Sequence, residues 1–407
     1  MRRMLTGLLF LAMSATTSAP ARADAGFDRW LAAQWPAAQA MGISRATFER
    51  ETRGLEPDYS LPDLAIPGKP RKPDGQAEFV QTPAAYVSDK AIGNYAARGR
   101  KLAGQYAAEL KVIERQFGVP GSVLLAIWAR ETAFGGAKLN HDALRVLATQ
   151  AYVGRRKDDF QPEFLAALKI LDEGHVTRAQ MKSSWAGAMG LTQFLPTGYL
   201  TYGVDLDGDG TANIWTSVPE ALAATASLLR EKGWQPGKRW AYEIAVPAGF
   251  DCTQAEPDVT LTIGDWLKRG VKIADGRRVP PSAMKDKASI IMPAGPFGPA
   301  FLTPANYFVL KAYNFADLYV LYVGHLADRI EDDKPFAQGW KDIALVKTRD
   351  LEFMQKVLTR EGYYAEKIDG KAGMKTRAAL GAYQKANGLP LDCWPDAQVL
   401  EHMRRGG

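Results

Sequence analysis

Apolar residues recur at helical spacing along most of this 407-residue chain. Spacings of three and four residues are typical of helices that bury one face. The longer predicted helices cover residues 27–51, 85–117, 142–174, 219–232 and 306–330. Between 240 and 304 the apolar runs are short and lie among Pro and Gly, which predicts a few short strands. The pattern therefore predicts a mainly α protein of the α+β class.

The chain is too long for one compact core, which predicts at least two domains. The helical pattern over 342–403 is separated from the rest by a charged, Pro-containing segment. This spacing predicts a linker at 334–342 and a small three-helix domain at 343–407.

The most apolar helix is predicted over Val119–Gly136, beginning near Pro120 and ending at Gly135 and Gly136. Glu131 lies on its apolar face. Burial disfavours an ionised carboxylate, so we expect the pKa of Glu131 to be raised, as a general acid requires near neutral pH. A structural ion pair between Glu131 and a basic side chain is an equally good interpretation of this helix alone.

The first 23 residues resemble a secretory signal peptide. Arg2 and Arg3 precede an apolar run at 5–13, which is too short to span a bilayer, and Ala21–Ala23 offers a cleavage site. We therefore expect a mature chain from Asp24 in the periplasm, with no membrane span.

The net charge is +6, from 51 basic and 45 acidic residues. Removal of residues 1–23 takes away three Arg and no acid, which leaves 48 basic against 45 acidic residues, or +3. This mild charge does not indicate a nucleic-acid partner. The two cysteines, Cys252 and Cys393, could pair across domains in an oxidising compartment or remain as two free thiols.

A second informative stretch is rich in small residues between Ser183 and Pro196. Small residues let a ligand or another backbone approach closely. Ser184 and Gln193 supply neutral groups that suit sugar hydroxyls and amides. By itself the stretch is better explained as a tight helix-packing turn than as a ligand site.

Several motifs in one order resemble the lytic murein transglycosylase B family. They are Glu131-Thr132, Ser184-Trp-Ala-Gly-Ala-Met-Gly190, Asn213-Ile-Trp215 and Ala312-Tyr-Asn314. The resemblance implies a lysozyme-like helical catalytic domain over 24–333 that includes the small β-containing insertion. It also implies cleavage of the β-1,4 bond between N-acetylmuramic acid (MurNAc) and N-acetylglucosamine (GlcNAc) of peptidoglycan, with a 1,6-anhydro-MurNAc product.

The resemblance further implies that Glu131 acts first as acid and then as base, without a cofactor for the chemistry. It places Tyr313 and Tyr319 near Glu131. The remaining residues that it implies in substrate binding are Ser184, Gln193, Asn314, Arg155 and Arg156. The two arginines are as well explained by a solvated basic surface. Where some family members have a Tyr that could stack on sugar, this chain has Leu228.

An Asp/Gly loop follows the spacing of an EF-hand calcium loop. Asp205, Asp207 and Asp209 stand at positions 1, 3 and 5, and Thr211 stands at position 7. Position 12 is Thr216 instead of Glu, and the later Glu220 is the candidate last ligand. The loop predicts a structural Ca²⁺, and a solvated Asp/Gly turn is the alternative.

The C-terminal segment resembles peptidoglycan-binding domain 1, on the turn Ile368-Asp-Gly370 and the helix that contains Thr376-Arg377. The resemblance implies glycan strands of peptidoglycan as the partner, and we expect a monomer. A hydrolytic muramidase remains an alternative if Asp142, Asp158 or Asp159 supplies a second carboxylate. A non-catalytic wall-binding scaffold is the other alternative.

Overall fold

The structure, a computed structural model, describes residues 24–66, 81–257, 259–344 and 346–406. The predicted signal peptide lies outside the described residues. Within those ranges, no helix combines the length and apolar composition needed to cross a membrane.

The N-terminal half is helical, as the periodicity predicts. Its helices are α1 (Ala25–Ala32), α2 (Trp35–Ala40), α3 (Arg45–Thr52), α4 (Pro83–Tyr86), α5 (Asp89–Gln105), α6 (Ala107–Phe117), α7 (Gly121–Thr132), α8 (Ala143–Val153), α9 (Lys157–Asp172), α10 (Pro196–Tyr202) and α11 (Val218–Glu231). A two-stranded ribbon pairs β1 (His141–Asp142) with β2 (Lys182–Ser183).

Several predicted helices are divided into shorter ones. The predicted helix at 142–174 breaks between α8 and α9 because Gly154 is extended and Leu64 forms a bridge with it. Helix starts are fixed by side chains that accept first-turn N–H groups, including Ser88 before α5, Asp142 before α8 and Ser217 before α11.

The predicted strands between 240 and 304 form a small antiparallel sheet. This part of the chain contains β3 (Tyr242–Ala245), β4 (Leu261–Thr262), helix α12 (Ile263–Lys268), β5 (Lys272–Ile273), β6 (Lys287–Ile291), β7 (Pro293–Pro296) and β8 (Ala300–Thr303). The strand order is β4-β6-β8-β3-β5, with Ile290 opposite Leu302 and Ile244 opposite Ala300. A separate apolar core lies beneath this insertion around the fully buried Trp266.

Two helices return to the N-terminal half after the insertion: α13 (Ala305–Tyr313) and α14 (Asp317–Glu331). Helix α14 packs along α7 within the largest apolar core. Helices α7 and α14 are both apolar on nearly every side. Their burial accounts for the central position of α7, the helix that carries Glu131.

The C-terminal domain consists of α15 (Thr348–Arg360), α16 (Met374–Ala386) and α17 (Ala397–Arg404). These three helices enclose their own small core. The buried Gln355 amide holds the turn before α16, because its oxygen accepts the N–H groups of Asp369 and Gly370 at 2.9 and 2.8 Å. This polar contact explains the Asp-Gly turn motif in structural terms.

The segment before α15 is packed against the insertion. The Glu243 carboxylate accepts the N–H groups of Ala337 and Gln338 at 2.8 and 2.7 Å. Trp340 lies against Gly298. The boundaries of the linker stay a prediction, but the chain there lies on the insertion.

Cys252 and Cys393 form a disulfide, which decides the alternative that the sequence left open. The bond joins the β insertion to the C-terminal domain across a separation of 141 residues. A crosslink between distant positions restricts the unfolded chain, so it stabilises the folded arrangement of the two domains.

We expect replacement of both Cys252 and Cys393 by Ser to lower the free energy of unfolding by about 2–4 kcal/mol, since the long loop is no longer closed. Thermal unfolding with and without a thiol reductant measures this loss. Reductant should lower the midpoint of the wild type and leave that of the double variant unchanged. Equal midpoints for the wild type and the double variant in the absence of reductant would contradict the stabilising role.

Candidate active site

Glu131 lies in the last turn of α7, but the helix ends differently from the prediction. It stops at Thr132, and Ala133 and Phe134 adopt left-handed backbone with φ of 51° and 57°, before Gly135 at 79°. Left-handed backbone costs a non-glycine residue roughly 1–2 kcal/mol. The surrounding contacts stabilise this strained turn, since Phe134 packs edge-on to Trp128 with ring centroids 5.2 Å apart.

The Tyr319 hydroxyl donates to Oε1 of Glu131 across 2.5 Å. These residues are 188 positions apart in sequence and meet because α14 lies along α7. Burial raises the pKa of the Tyr319 phenol well above its ordinary value, and the Glu131 carboxylate raises it further. Tyr319 therefore keeps its proton and remains a hydrogen-bond donor to Glu131.

Tyr313 lies nearly parallel to Tyr319, with ring centroids 6.3 Å apart and planes inclined by 8°. Its hydroxyl donates to the Thr192 carbonyl. Burial and the nearby Glu131 charge raise the pKa of Tyr313 well above its usual range. The structure thus brings both predicted tyrosines to Glu131, one through a direct hydrogen bond.

The small-residue stretch is fastened to the end of α7. The Thr132 hydroxyl donates to the Leu191 carbonyl across 2.6 Å, and the Leu191 N–H donates to the Ile214 carbonyl across 2.9 Å. Gly190 has φ of 72°, and a Cβ there would lie 2.7 Å from the Ile214 oxygen. At Gly190, the small residue therefore allows a second backbone segment, at Ile214, to lie close.

A cavity of about 350 Å³ lies beside this junction. Its lining residues are Thr132, Gly135, Ala137, Leu139, His175, Val176, Gln180, Lys182, Gly190, Leu191, Thr211, Asn213, Trp215 and Thr216. The cavity adjoins both the end of α7 and the Asp/Gly loop. Its size suits a sugar unit, and polar side chains on its wall suit hydroxyl and amide groups.

The cavity wall also contains polar residues that the sequence analysis did not select. His175, Gln180 and Lys182 come from the segment just before the Ser-Trp motif. Their position shortly before the Ser-Trp motif was the one feature of the sequence that could have indicated them, because His, Gln and Lys have no distinctive spacing here. Trp215 was noticed only as part of a family motif.

Three other predicted substrate residues have structural contacts of their own. The Ser184 hydroxyl accepts the Ala188 N–H at 3.2 Å. The Gln193 amide donates to the Gly190 carbonyl across 3.0 Å, and Gln193 itself has left-handed backbone with φ of 58°. Asn314 accepts the Ala316 N–H at 3.0 Å ahead of α14. Each of these contacts shapes a turn near the candidate site, and substrate binding by the three stays a prediction.

Arg155 and Arg156 are exposed and share Asp63 as an acidic neighbour. Each guanidinium lies 3.6 Å from the Asp63 carboxylate, and Arg156 also lies over the Phe160 ring. These contacts fit the predicted alternative of a solvated basic surface.

The Asp/Gly loop gathers its three predicted aspartates. One oxygen from each of Asp205, Asp207 and Asp209 lies within 4.8 Å of the others. Two oxygens bound to one Ca²⁺ can lie this far apart, because each Ca²⁺–oxygen distance is about 2.3–2.6 Å. Hydrogen bonds from Thr211 lower the pKa of Asp209, which favours the charged form that binds cations.

Glu220 is buried below that loop and has a different contact pattern. One carboxylate oxygen accepts the Leu206 N–H at 3.0 Å and the other accepts the Asn213 N–H at 2.7 Å. Glu220 thus holds both sides of the loop together. Ligation of a cation by Glu220 or by Thr211 stays a prediction.

The candidates for a second catalytic carboxylate are placed as follows. Asp142 begins α8 as its cap and also accepts two hydrogen bonds from Arg178, at 2.9 and 3.0 Å. Asp158 and Asp159 are exposed in the first turn of α9. Asp142 therefore has a structural role that occupies both of its oxygens.

These features define a lysozyme-like helical domain with a small β insertion, in which a buried helix carries Glu131 and ends at a cavity. The chain belongs to the family described as the transglycosylase SLT domain, which matches residues 26–328. A peptidoglycan binding domain matches residues 348–403. Both matches confirm the families that the motifs predicted.

The chain is similar to SltB3 from Pseudomonas aeruginosa, solved in complex with NAG-anhNAM-pentapeptide. The similarity covers 93% of this chain and 99% of that chain, with 35% identity and a TM-score of 0.83. The Escherichia coli lytic transglycosylase Slt35, solved in complex with calcium, has the same fold, with 21% identity over 75% of this chain and 93% of that chain and a TM-score of 0.61.

A curated relative is the membrane-bound lytic murein transglycosylase B of Escherichia coli strain K12. It is 33% identical over 138 residues, which are 34% of this chain and 38% of that protein. The chain thus aligns with less than half the length of this relative.

We expect Tyr319→Phe to raise the pKa of Glu131, since the ionised carboxylate loses a hydrogen-bond donor. The carboxyl carbon shift of labelled Glu131, followed by NMR as a function of pH, measures the change. Tyr322→Phe is the matched control on α14, because the Tyr322 hydroxyl donates to the Ala91 carbonyl instead. A Glu131 pKa that is unchanged or lower in Tyr319→Phe would contradict the assigned contact.

Proposed function

We propose that this chain is a periplasmic lytic transglycosylase that cleaves the β-1,4 bond between MurNAc and GlcNAc and forms a 1,6-anhydro-MurNAc end. The observation that carries the proposal is the 2.5 Å hydrogen bond from Tyr319 to Glu131, which directly precedes the cavity-lining Thr132. The anhydro sugar in the complex of the 35% identical SltB3 supports the same product class.

In the first step, protonated Glu131 donates its proton to the glycosidic oxygen. The C1–O bond breaks, the GlcNAc hydroxyl leaves, and the MurNAc acetamido group stabilises the positive charge that develops at C1. Because Tyr319 donates to Oε1, the proton that Glu131 transfers is carried on Oε2. Tyr319 thus orients the carboxyl group toward the substrate.

In the second step, the Glu131 carboxylate takes the proton from the muramyl 6-hydroxyl. The oxygen so released attacks C1, which closes the 1,6-anhydro ring and returns Glu131 to its protonated form. One carboxyl group serves both steps because the substrate supplies the nucleophile, whereas a hydrolase needs a second carboxylate or an activated water. The structural engagement of Asp142 supports the single-carboxyl mechanism.

Substrate binding would use the cavity wall and the turns around it. Ser184, Gln193 and Asn314 offer polar groups to sugar hydroxyls and acetamido groups. Arg155 and Arg156 offer positive charge to the carboxylates of stem peptides, in competition with their contacts to Asp63. The C-terminal domain would retain the enzyme on peptidoglycan and raise the local concentration of glycan strands at the cleft.

Two further parts of the proposal concern the cation and the location. Asp205, Asp207 and Asp209 would hold one structural Ca²⁺, which neutralises three neighbouring negative charges and rigidifies a loop on the cavity wall. Calcium in the complex of the similarly folded Slt35 agrees with this role. A signal peptide at residues 1–23 would deliver the enzyme to the periplasm.

We expect Glu131→Gln to abolish cleavage of purified peptidoglycan while binding to wall sediment is retained, because the amide cannot transfer the proton. Mass spectrometry of the soluble products is the measurement, and Glu114→Gln on the exposed side of α6 is the control. Wild-type activity in Glu131→Gln would contradict the mechanism. A wild type that binds but releases no fragments would favour the scaffold alternative.

We expect chelation of Ca²⁺ by EGTA to lower the thermal midpoint, because the three aspartates then repel one another. Asp209→Asn should have a lower midpoint that no longer responds to EGTA or added Ca²⁺. Glu401→Gln, at an exposed carboxylate of the C-terminal domain, should respond like the wild type. An identical wild-type midpoint in EGTA and in millimolar Ca²⁺ would contradict the site.

A further inference from the structure

One side chain of the C-terminal domain is buried inside the catalytic domain. Arg377, in the first turn of α16, is 3% exposed. One of its terminal nitrogens lies 3.1 Å from the Asp317 carboxylate, and its Nε lies 3.5 Å from the Glu256 carboxylate. Its other terminal nitrogen donates to the Ala372 carbonyl across 2.9 Å. The planar guanidinium thus contacts three oxygens from three parts of the chain.

Asp317 is the first residue of α14 and lies at the centre of this cluster. Lys311 lies 2.5 Å from one of its oxygens, and the Tyr307 hydroxyl donates to the same oxygen across 3.1 Å. Burial alone would raise the pKa of Asp317, but the charges of Arg377 and Lys311 outweigh it and hold the pKa below its ordinary value. A buried carboxylate depends on such partners, so Arg377 helps to hold the first residue of α14 in place.

The first turn of α14 also carries Tyr319, two residues after Asp317. Residues two apart in a helix point to nearly opposite sides. Asp317 accordingly contacts the C-terminal domain on one side of the turn, and Tyr319 donates to Glu131 on the other. A displacement of this turn toward or away from the C-terminal domain therefore changes the distance between Tyr319 and Glu131.

We propose that Arg377 is a positioning residue for catalysis: through Asp317 and the first turn of α14, the C-terminal domain holds the Tyr319 hydroxyl against Glu131. The domain then contributes to turnover as well as to retention on the wall. This inference rests on the proposed role of Glu131. The Arg377–Asp317 pair would thus serve catalysis. Binding of peptidoglycan and tethering of the domain do not need this ion pair.

Other contacts hold the same two domains together and make the inference testable. The disulfide joins Cys252 to Cys393, and Lys385 on α16 lies 2.6 Å from Asp251. Lys385 is thus on the same helix as Arg377 and also makes an interdomain ion pair, although at the surface, with no contact to α14 among the contacts that the structure describes. Lys385→Met is therefore the matched control for Arg377→Met.

The experiment measures steady-state cleavage of a soluble, uncrosslinked glycan-chain substrate by full-length, oxidised protein. We expect Arg377→Met to lower kcat at least tenfold with KM within twofold of the wild type, because substrate contacts are unchanged while Glu131 loses its oriented donor. Lys385→Met should keep both constants within twofold. Arg377→Lys should recover part of the lost kcat, since Lys can pair with Asp317 but cannot contact all three oxygens.

The pH profile separates positioning from a general loss of folded protein. The structure records electrostatic interactions of the Glu131 carboxylate with Tyr319 and Tyr313, and of Tyr319 with Arg130. If Tyr319 no longer donates, Glu131 stays protonated to higher pH. The alkaline limb of the kcat–pH profile should therefore shift to higher pH in Arg377→Met. Loss of folded protein lowers the whole profile without moving its limbs.

A second variant covers the possibility that Arg377→Met folds poorly. Asp317→Asn removes the same ion pair from the other side, and the double variant Asp317→Asn/Arg377→Met should lose no more kcat than the more impaired single variant. Unchanged kcat and pH profile in both single variants would overturn the inference. So would multiplicative losses in the double variant.

The failure of the inference is distinguishable from the failure of the proposed function. If Glu131→Gln is inactive while Arg377→Met and Asp317→Asn match the wild type, the positioning role is wrong and the mechanism stands. If Glu131→Gln retains full activity, the mechanism itself is wrong.

Discussion

The candidate active site depends on the packing of helix α14 against helix α7, which brings the Tyr319 phenol to the Glu131 carboxyl group. Tyr319 and Glu131 form a 2.5 Å hydrogen bond only because α7 and α14 lie side by side in the largest apolar core. Burial keeps the phenol protonated, so the bond has a fixed donor. The end of α7 at Thr132, the strained turn after it and Gly190 line a cavity that adjoins this helix end.

Other contacts fasten the surroundings of these two helices. Thr132 ties the end of α7 to the small-residue stretch, and Glu220 ties the Asp/Gly loop to α11. Arg377 and the disulfide join the C-terminal domain to the catalytic domain. A domain recognised by sequence as a wall-binding module is therefore also part of the packing that surrounds the candidate active site.

Local sequence patterns predicted the helical class, the β insertion, the helix that carries Glu131 and the three-helix C-terminal domain. These features follow from hydrophobic periodicity and from motifs that are contiguous in sequence. The end of α7 was predicted wrongly, because two non-glycine residues adopt left-handed backbone that only their tertiary contacts stabilise. The split between α8 and α9 was missed because Gly154 pairs with a segment about ninety residues earlier.

Contacts between distant residues could not be derived from the residues alone. The family resemblance placed Tyr319 near Glu131, but spacing gave no reason for it. Nothing in the sequence paired Arg377 with Asp317, or decided between a disulfide and two free thiols.

The most direct test of the single-carboxyl account is digestion of peptidoglycan in water enriched in oxygen-18, with mass spectrometry of the muramyl ends. The account predicts anhydro ends without the heavy isotope, and reducing ends that carry oxygen-18 would contradict it.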